Sequence, residues 1–225
     1  MWQRSILKAN AKIALRGRYW NAFAVTLVAM IIGGAYSTLT VGLQKSSVAG
    51  AISIGGILFS VFVAIPVSIG VMRYFLQNHF GAAQFETMFS GFQQGYLNGI
   101  GTMLVTGIFI FLWSLLLIVP GIIKSLQYCL VPFILSDNPD MPGSRAREIS
   151  KMLTDGEKGN IFVFFLSFIG WFFLGALCLG VGILFVYPYF YASFAELYIF
   201  LRDRAIANNM LNPAELNLVP PEPTV

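Results

Sequence analysis

Two tracts of this chain, residues 87–123 and 159–195, each run for 37 residues without an Asp, Glu, Lys or Arg. A single helix of that length would measure about 55 Å, whereas the hydrocarbon core of a bilayer is about 30 Å thick. Neither tract therefore fits one crossing. Each tract also carries a break, Pro120-Gly121 in the first and Leu179-Gly180-Val181-Gly182 in the second. Pro fixes φ and Gly accepts positive φ. The sequence thus predicts that the chain reverses at Pro120 and Gly121, and again at Gly180 and Gly182, to form two membrane hairpins.

Two further uncharged stretches, residues 19–44 and 46–72, suit one span each. Soluble domains carry about 25% charged residues; this chain has 11%, with 57% hydrophobic residues. It lacks the polar residues to cover itself in water. The reading is an all-α, polytopic membrane helix bundle with about six transmembrane helices, two tight hairpins, and two or three interfacial amphipathic helices. A single transmembrane domain covers 1–204, with spans at about 19–43, 48–72, 98–119, 122–136, 160–179 and 183–201. The fourth is short for a bilayer. Residues 205–225 read as a polar, disordered tail.

Basic residues set the orientation. With six spans, Arg4, Lys8, Lys12, Arg16, Arg18, Arg73, Arg145, Arg147, Lys151, Lys158, Arg202 and Arg204 fall on one side, leaving only Lys45 and Lys124 on the other. Cytoplasmic loops collect Lys and Arg, so both termini are expected in the cytoplasm of a multi-pass protein of a bacterial cytoplasmic membrane. The net charge of +4 is explained by these flanks, and nucleic acid is not an expected partner.

Residues 1–18 place Arg4, Lys8, Lys12 and Arg16 on one helical stripe, away from Ile6, Ala9 and Ile13. That pattern suits a helix lying on an anionic leaflet. Phe85, Met88, Phe89, Phe92 and Tyr96 follow helical spacing, which suggests a second amphipathic helix, lying along the interface or packed on the end of the bundle. Gly56, Ser60, Ala64 and Ser68 put small residues on one face of the second span, where another backbone could approach. Pro66 is expected to kink that span.

Chemistry-bearing residues are sparse. The single histidine, His79, has Glu86 as its nearest acid in sequence and reads as a solvated interfacial side chain. Cys129 and Cys178 lie inside spans and read as inert packing residues. No phosphate-cradling loop, nucleophile elbow or metal-ligand spacing occurs in the sequence, so no catalytic, cofactor or metal residue is assigned. Two intramembrane ionisable residues stand out. Glu196 lies within the sixth span, paired in this reading with Arg73 or Arg202. Lys124 lies near the tip of the first hairpin, where snorkelling to the outer headgroups competes with a substrate contact.

The run LWSLLLIVPGIIKSLQYCLVPFILSDNP and the later REISKMLTDGEKGNIFVFFLSFIGWFFLGALCLGVGILFVYPYFYASFAELY resemble the DUF975 family of bacterial integral membrane proteins. The positions that carry the resemblance include Leu112, Trp113, Pro120, Gly121, Tyr128, Pro132, Asp137, Pro139, Gly156, Gly170, Trp171, Gly175, Pro188 and Tyr189. The N-terminal RGRYWNAF block also fits. A more distant likeness is to the membrane domain found beside some bacterial glycerophosphodiesterases. These are mostly turn and packing residues, so the resemblance implies a fold and a location and no particular activity. The function expected is that of a non-enzymatic membrane protein acting through association with lipids, other membrane proteins or itself. The alternative is a small transporter or lipid translocase built on the broken-helix hairpins.

Overall fold

The computed structural model describes residues 2–43, 55–93, 95–178 and 180–218, and the side chains of these except in 34–43. The expected turn at Gln44–Ser47, the start of the second span at 48 and the last seven residues lie outside that description. The helices are α1 (Arg4–Leu15), α2 (Tyr19–Leu43), α3 (Gly55–His79), α4 (Tyr96–Leu116), α5 (Ile118–Tyr128), α6 (Val131–Asp137), α7 (Gly143–Leu153), α8 (Lys158–Leu177) and α9 (Val181–Ala207). Among the described residues there is no strand, and the fold is an all-α bundle. Five helical segments are long and apolar enough to cross a membrane: Gly55–His79, Tyr96–Leu116, Ile118–Asp137, Lys158–Leu177 and Val181–Ala207. A sixth apolar helix, α2, is 25 residues long.

The chain reverses in both long tracts, though not at the residues expected. In the first, the reversal is at Leu117, whose backbone is extended (φ −160°, ψ 148°). Pro120 is the third residue of α5, where its missing N–H is harmless because the first four N–H groups of a helix have no intrahelical partner. Gly121 is a packing residue: a Cβ there would collide with Ser114 on α4. The fourth crossing gains length accordingly, running 20 residues from Ile118 to Asp137. In the second tract Gly180 does make the turn, at φ +78°. Gly182, by contrast, already lies in α9, and a Cβ on it would meet the Gly175 backbone of α8 at 2.8 Å.

The small-residue face of α3 corrects in the same way. Gly56 is buried, but Ser60 is exposed, and Ala64 and Ser68 are half-buried. The last two line a gap of about 160 Å³ shared with α2 and with Tyr187 and Tyr191 of α9. Backbone contact occurs instead at Gly70 and Gly91. A Cβ on Gly70 would strike the Met88 carbonyl, and a Cβ on Gly91 would strike the Pro66 carbonyl. These two glycines dock a 3-10 helix, Phe85–Phe92, onto α3. The expected long amphipathic helix is therefore a tight eight-residue turn that buries Met88 and leaves Phe85, Phe89 and Phe92 exposed. Pro66 acts one turn upstream. It has no N–H for the Phe62 carbonyl, the backbone widens into a π turn over Ser60–Ala64, and the Tyr96 hydroxyl donates to Phe62 O at 2.9 Å.

Helix α1 is not a free surface helix. Leu7, Ala11 and Leu15, four residues apart, form its buried face, which packs on α9 and α3. Ile6 and Ile13 are exposed instead. The core between helices is aromatic: Phe75 stacks on Tyr191 at 5.6 Å, Phe133 on Tyr198 at 5.2 Å, and Phe168 meets Phe190 edge-on at 5.2 Å. The tail also folds. Residues Pro213–Leu216 form a 3-10 turn with Leu211 and Leu216 buried, so this part of the tail packs on the bundle.

Gly91→Ala should destabilise the protein by roughly 2–3 kcal/mol, because the obstructing atom is a backbone carbonyl that cannot rotate away. Gly33→Ala, with open space around it, should not. Thermal unfolding of both variants in one detergent makes the comparison. Equal melting temperatures would refute the close contact.

Candidate functional site

The ionisable side chains concentrate where α3, α6 and α9 end and α8 begins. Helix α9 supplies a partner to each neighbour. Its Arg204 donates to Glu157 Oε1 at 2.6 Å, where α8 starts. Trp2 Nε1 and Asn160 Nδ2 both donate to Glu157 Oε2, at 3.0 and 2.8 Å. Arg202 Nη1 reaches Asp137 Oδ2 at 3.3 Å, and the Tyr198 hydroxyl donates to the same oxygen at 2.7 Å. Arg202 Nε turns to Asp203. Arg73 donates to the Ser136 carbonyl at 2.8 Å.

Glu196 therefore pairs with neither Arg73 nor Arg202. Six residues along a helix leave Glu196 and Arg202 about 120° apart around the axis, so they face different neighbours. Glu196 Oε1 lies 2.5 Å from His79 Nδ1, at the end of α3. His79 is thus not a solvated histidine, and Glu86 is not its partner. The pair is asymmetric in exposure: the His79 side chain is 31% exposed and Glu196 4%. The Nδ1–Oε1 distance is that of a short hydrogen bond between the two side chains.

Two clefts share Asn10, His79 and Glu196 in their linings. One, of about 510 Å³, is lined by Asn10, Arg16, Arg18, Asn78, His79 and Glu196 among others. The other, of about 570 Å³, is bounded by Trp2, Ile6, Phe200, Asp203 and Arg204. Asn78 anchors α1 by donating from Nδ2 to the Ala14 carbonyl at 3.0 Å. Among the described residues, its Oδ1 and Arg18 Nη1 are buried without a hydrogen-bond partner.

Lys124 lies towards the opposite end of the bundle. Its Nζ sits 4.9 Å from the centroid of Trp113 and 5.8 Å from that of Tyr128, a cation–π site between α4 and α5. Lys8 makes a similar contact, with Nζ 4.2 Å from the Phe168 centroid and 3.3 Å from the Ser167 carbonyl. Burial there lowers its ammonium below the ordinary value, and Arg4 and Lys12 add to the effect. Cys129 is half-buried and Cys178 exposed; both are free thiols. Among the described residues no group of His, Cys, Asp and Glu could hold a metal ion.

Residues 115–205 match a family model, that of DUF975, a protein of unknown function. The match covers 91 of the chain's 225 residues and makes this segment similar to that family. The segment contains Lys124, Asp137, Glu157, Glu196, Arg202 and Arg204. The RGRYWNAF block, Arg18 and His79 lie outside the matched residues, so the Glu196–His79 contact joins the matched segment to the N-terminal part of the chain. No curated protein and no solved structure matches.

Burial alone would raise the Glu157 carboxyl, but hydrogen bonds from Asn160, Arg204 and Trp2 outweigh it and hold the group below its usual range. Glu215 is held low by a two-point contact from Arg145, at 2.8 and 3.2 Å. A depressed folded value contributes stability above the unfolded value, about 4.3, and that stability is lost as pH falls through the folded value. The melting temperature should therefore drop below about pH 4. Glu157→Gln should melt lower than the parent protein at pH 7 and approach it at pH 3. Parallel curves across that range would refute the assignment.

Proposed function

We propose that the protein is a non-enzymatic integral membrane protein of a bacterial cytoplasmic membrane. In this reading it acts by associating with anionic lipids through its basic end, and both termini face the cytoplasm. The observation that carries the reading is the division of the surface. The first hairpin tip, Leu115 to Val119, is 66–78% exposed and wholly apolar. The other end of the bundle carries Arg16, Arg18, Arg73, Arg145 and Arg204, each at least partly exposed. A basic surface beside a membrane-embedded bundle suits the anionic inner leaflet.

The interior favours this reading over transport. Thr26, Thr106 and Ser193 are buried, but each donates to the carbonyl four residues earlier in its own helix. They offer no proton to a passing solute. Discontinuous transporter helices expose their breaks at the midplane; here the two hairpin breaks are at the tips, and the Phe62 carbonyl freed in the π turn of α3 is taken by the Tyr96 hydroxyl.

Two measurements test the proposal. A single cysteine replacing Arg147, in a background without Cys129 and Cys178, should be labelled only from the cytoplasmic side. Native mass spectrometry from mild detergent should find anionic phospholipid retained on the protein. Labelling from outside intact cells would overturn the orientation, and a chain that always emerges free of lipid would overturn the association.

A further inference from the structure

We infer that the cleft beside the His79–Glu196 pair is a binding site for a hydroxyl-bearing phosphate group, of the kind presented by a glycerol-phosphate lipid headgroup. The inference deepens the lipid-association reading and rests on it for the source of the ligand.

Two buried atoms of opposite polarity define the chemistry. Arg18 Nη1 is a donor without a partner, and Asn78 Oδ1 is an acceptor without a partner. Both residues line the 510 Å³ cleft. Buried polar groups are ordinarily satisfied, and Asn78 is only 2% exposed. Its amide nitrogen is already committed to the Ala14 carbonyl, so the remaining oxygen calls for a hydrogen-bond donor. The guanidinium calls for an acceptor, and an anion serves best. A phosphate carrying a hydroxylated substituent answers both.

The charge balance agrees. Glu196 is the acid in the lining and is held by His79 at 2.5 Å, leaving Arg16 and Arg18 in excess. The guanidinium position depends on Gly81, which follows the end of α3. A Cβ built there would come 3.1 Å from Arg18 Nη1 and 3.4 Å from Nη2, and Gly81 has φ +74°. Glycine thus provides both the turn and the space. The cleft volume falls within the range of ordinary small-molecule sites.

The test is titration of the purified full-length protein with dihexanoyl phosphatidylglycerol, dihexanoyl phosphatidylcholine and inorganic phosphate, below micelle-forming lipid concentrations. Saturable binding of the phosphatidylglycerol probe is expected, at least tenfold tighter than of the phosphatidylcholine probe. Arg18→Gln should weaken it at least tenfold, and Asn78→Ala several-fold. Lys124→Gln, which removes a positive charge towards the opposite end of the bundle, should leave it unchanged. Among the described residues Arg18 makes no side-chain hydrogen bond, so its replacement leaves the scaffold intact. Gly81→Ala, which displaces the guanidinium and keeps its charge, should weaken binding in the same direction. Phosphate binding that is lost in Arg18→Gln, with no binding of either lipid probe, would keep the phosphate site and overturn the lipid source. Unchanged phosphatidylglycerol affinity in Arg18→Gln would overturn the cleft, while co-purified lipid would still support the broader association. No binding of any probe would also overturn the cleft.

Discussion

Hydrocarbon offers a polar group nothing to bond to, and this constraint governs where the chain places its ionisable side chains. An unpaired charge at the bilayer centre costs about 2.5–3.5 kcal/mol on insertion scales. Here the buried acids are paired, and they gather at one end of the bundle: Glu196 with His79, Asp137 with Tyr198 and Arg202, Glu157 with Arg204 and Trp2. The same requirement reaches the backbone. Pro66 removes a donor from α3, and the Tyr96 hydroxyl supplies one to the stranded Phe62 carbonyl. The freed groups are satisfied within the protein, as a membrane interior demands.

Packing follows a second rule, close approach at a subset of the glycines. Gly121 lies on Ser114, Gly175 on Gly182, Gly70 on Met88 and Gly91 on Pro66. Each contact joins elements close in sequence, so the hairpins and the docked 3-10 turn are local units. The long-range contacts between units include aromatic stacks, the polar pairs at the basic end and two further close approaches, Gly95 on Pro139 and Gly143 on Thr102. The apolar surface left over is extensive on α4 and α8, as a lipid-facing surface requires.

Much of this architecture is legible in the sequence. Charge-free tracts longer than one crossing imply reversal, and the chain does reverse in both. The residues that accomplish it are less legible. A Pro-Gly pair suits either a turn or the first turn of a helix, and only the packing of Gly121 on Ser114 decides. For α1, the basic stripe of Arg4, Lys8 and Lys12 dominates the pattern and obscures the buried row Leu7, Ala11 and Leu15. The polar site was half visible. Glu196 stands out as an acid in an apolar run, but its partner lies 117 residues away, a separation no local spacing encodes. Angular position on α9 does exclude Arg202. Glu157 and Asp137 gave less signal, because each sits beside a turn where an acid is ordinary. The tail shows the opposite bias: its prolines suggest disorder, yet Leu211 and Leu216 are buried.

The placement of so many partners on α9 has a consequence for biogenesis. His79, Asp137 and Glu157 precede their α9 partners Glu196, Arg202 and Arg204 by 117, 65 and 47 residues. At translation rates of about 5–20 residues per second, His79 waits on the order of ten seconds for Glu196 to be synthesised. Until then the early helices hold uncompensated polar groups at the edge of the bilayer, and the nascent bundle stays open on the side that α9 will occupy. Helix α9 is thus the element that closes the bundle, so a chain truncated before it would present its quality-control machinery with exposed acids and an unfilled groove.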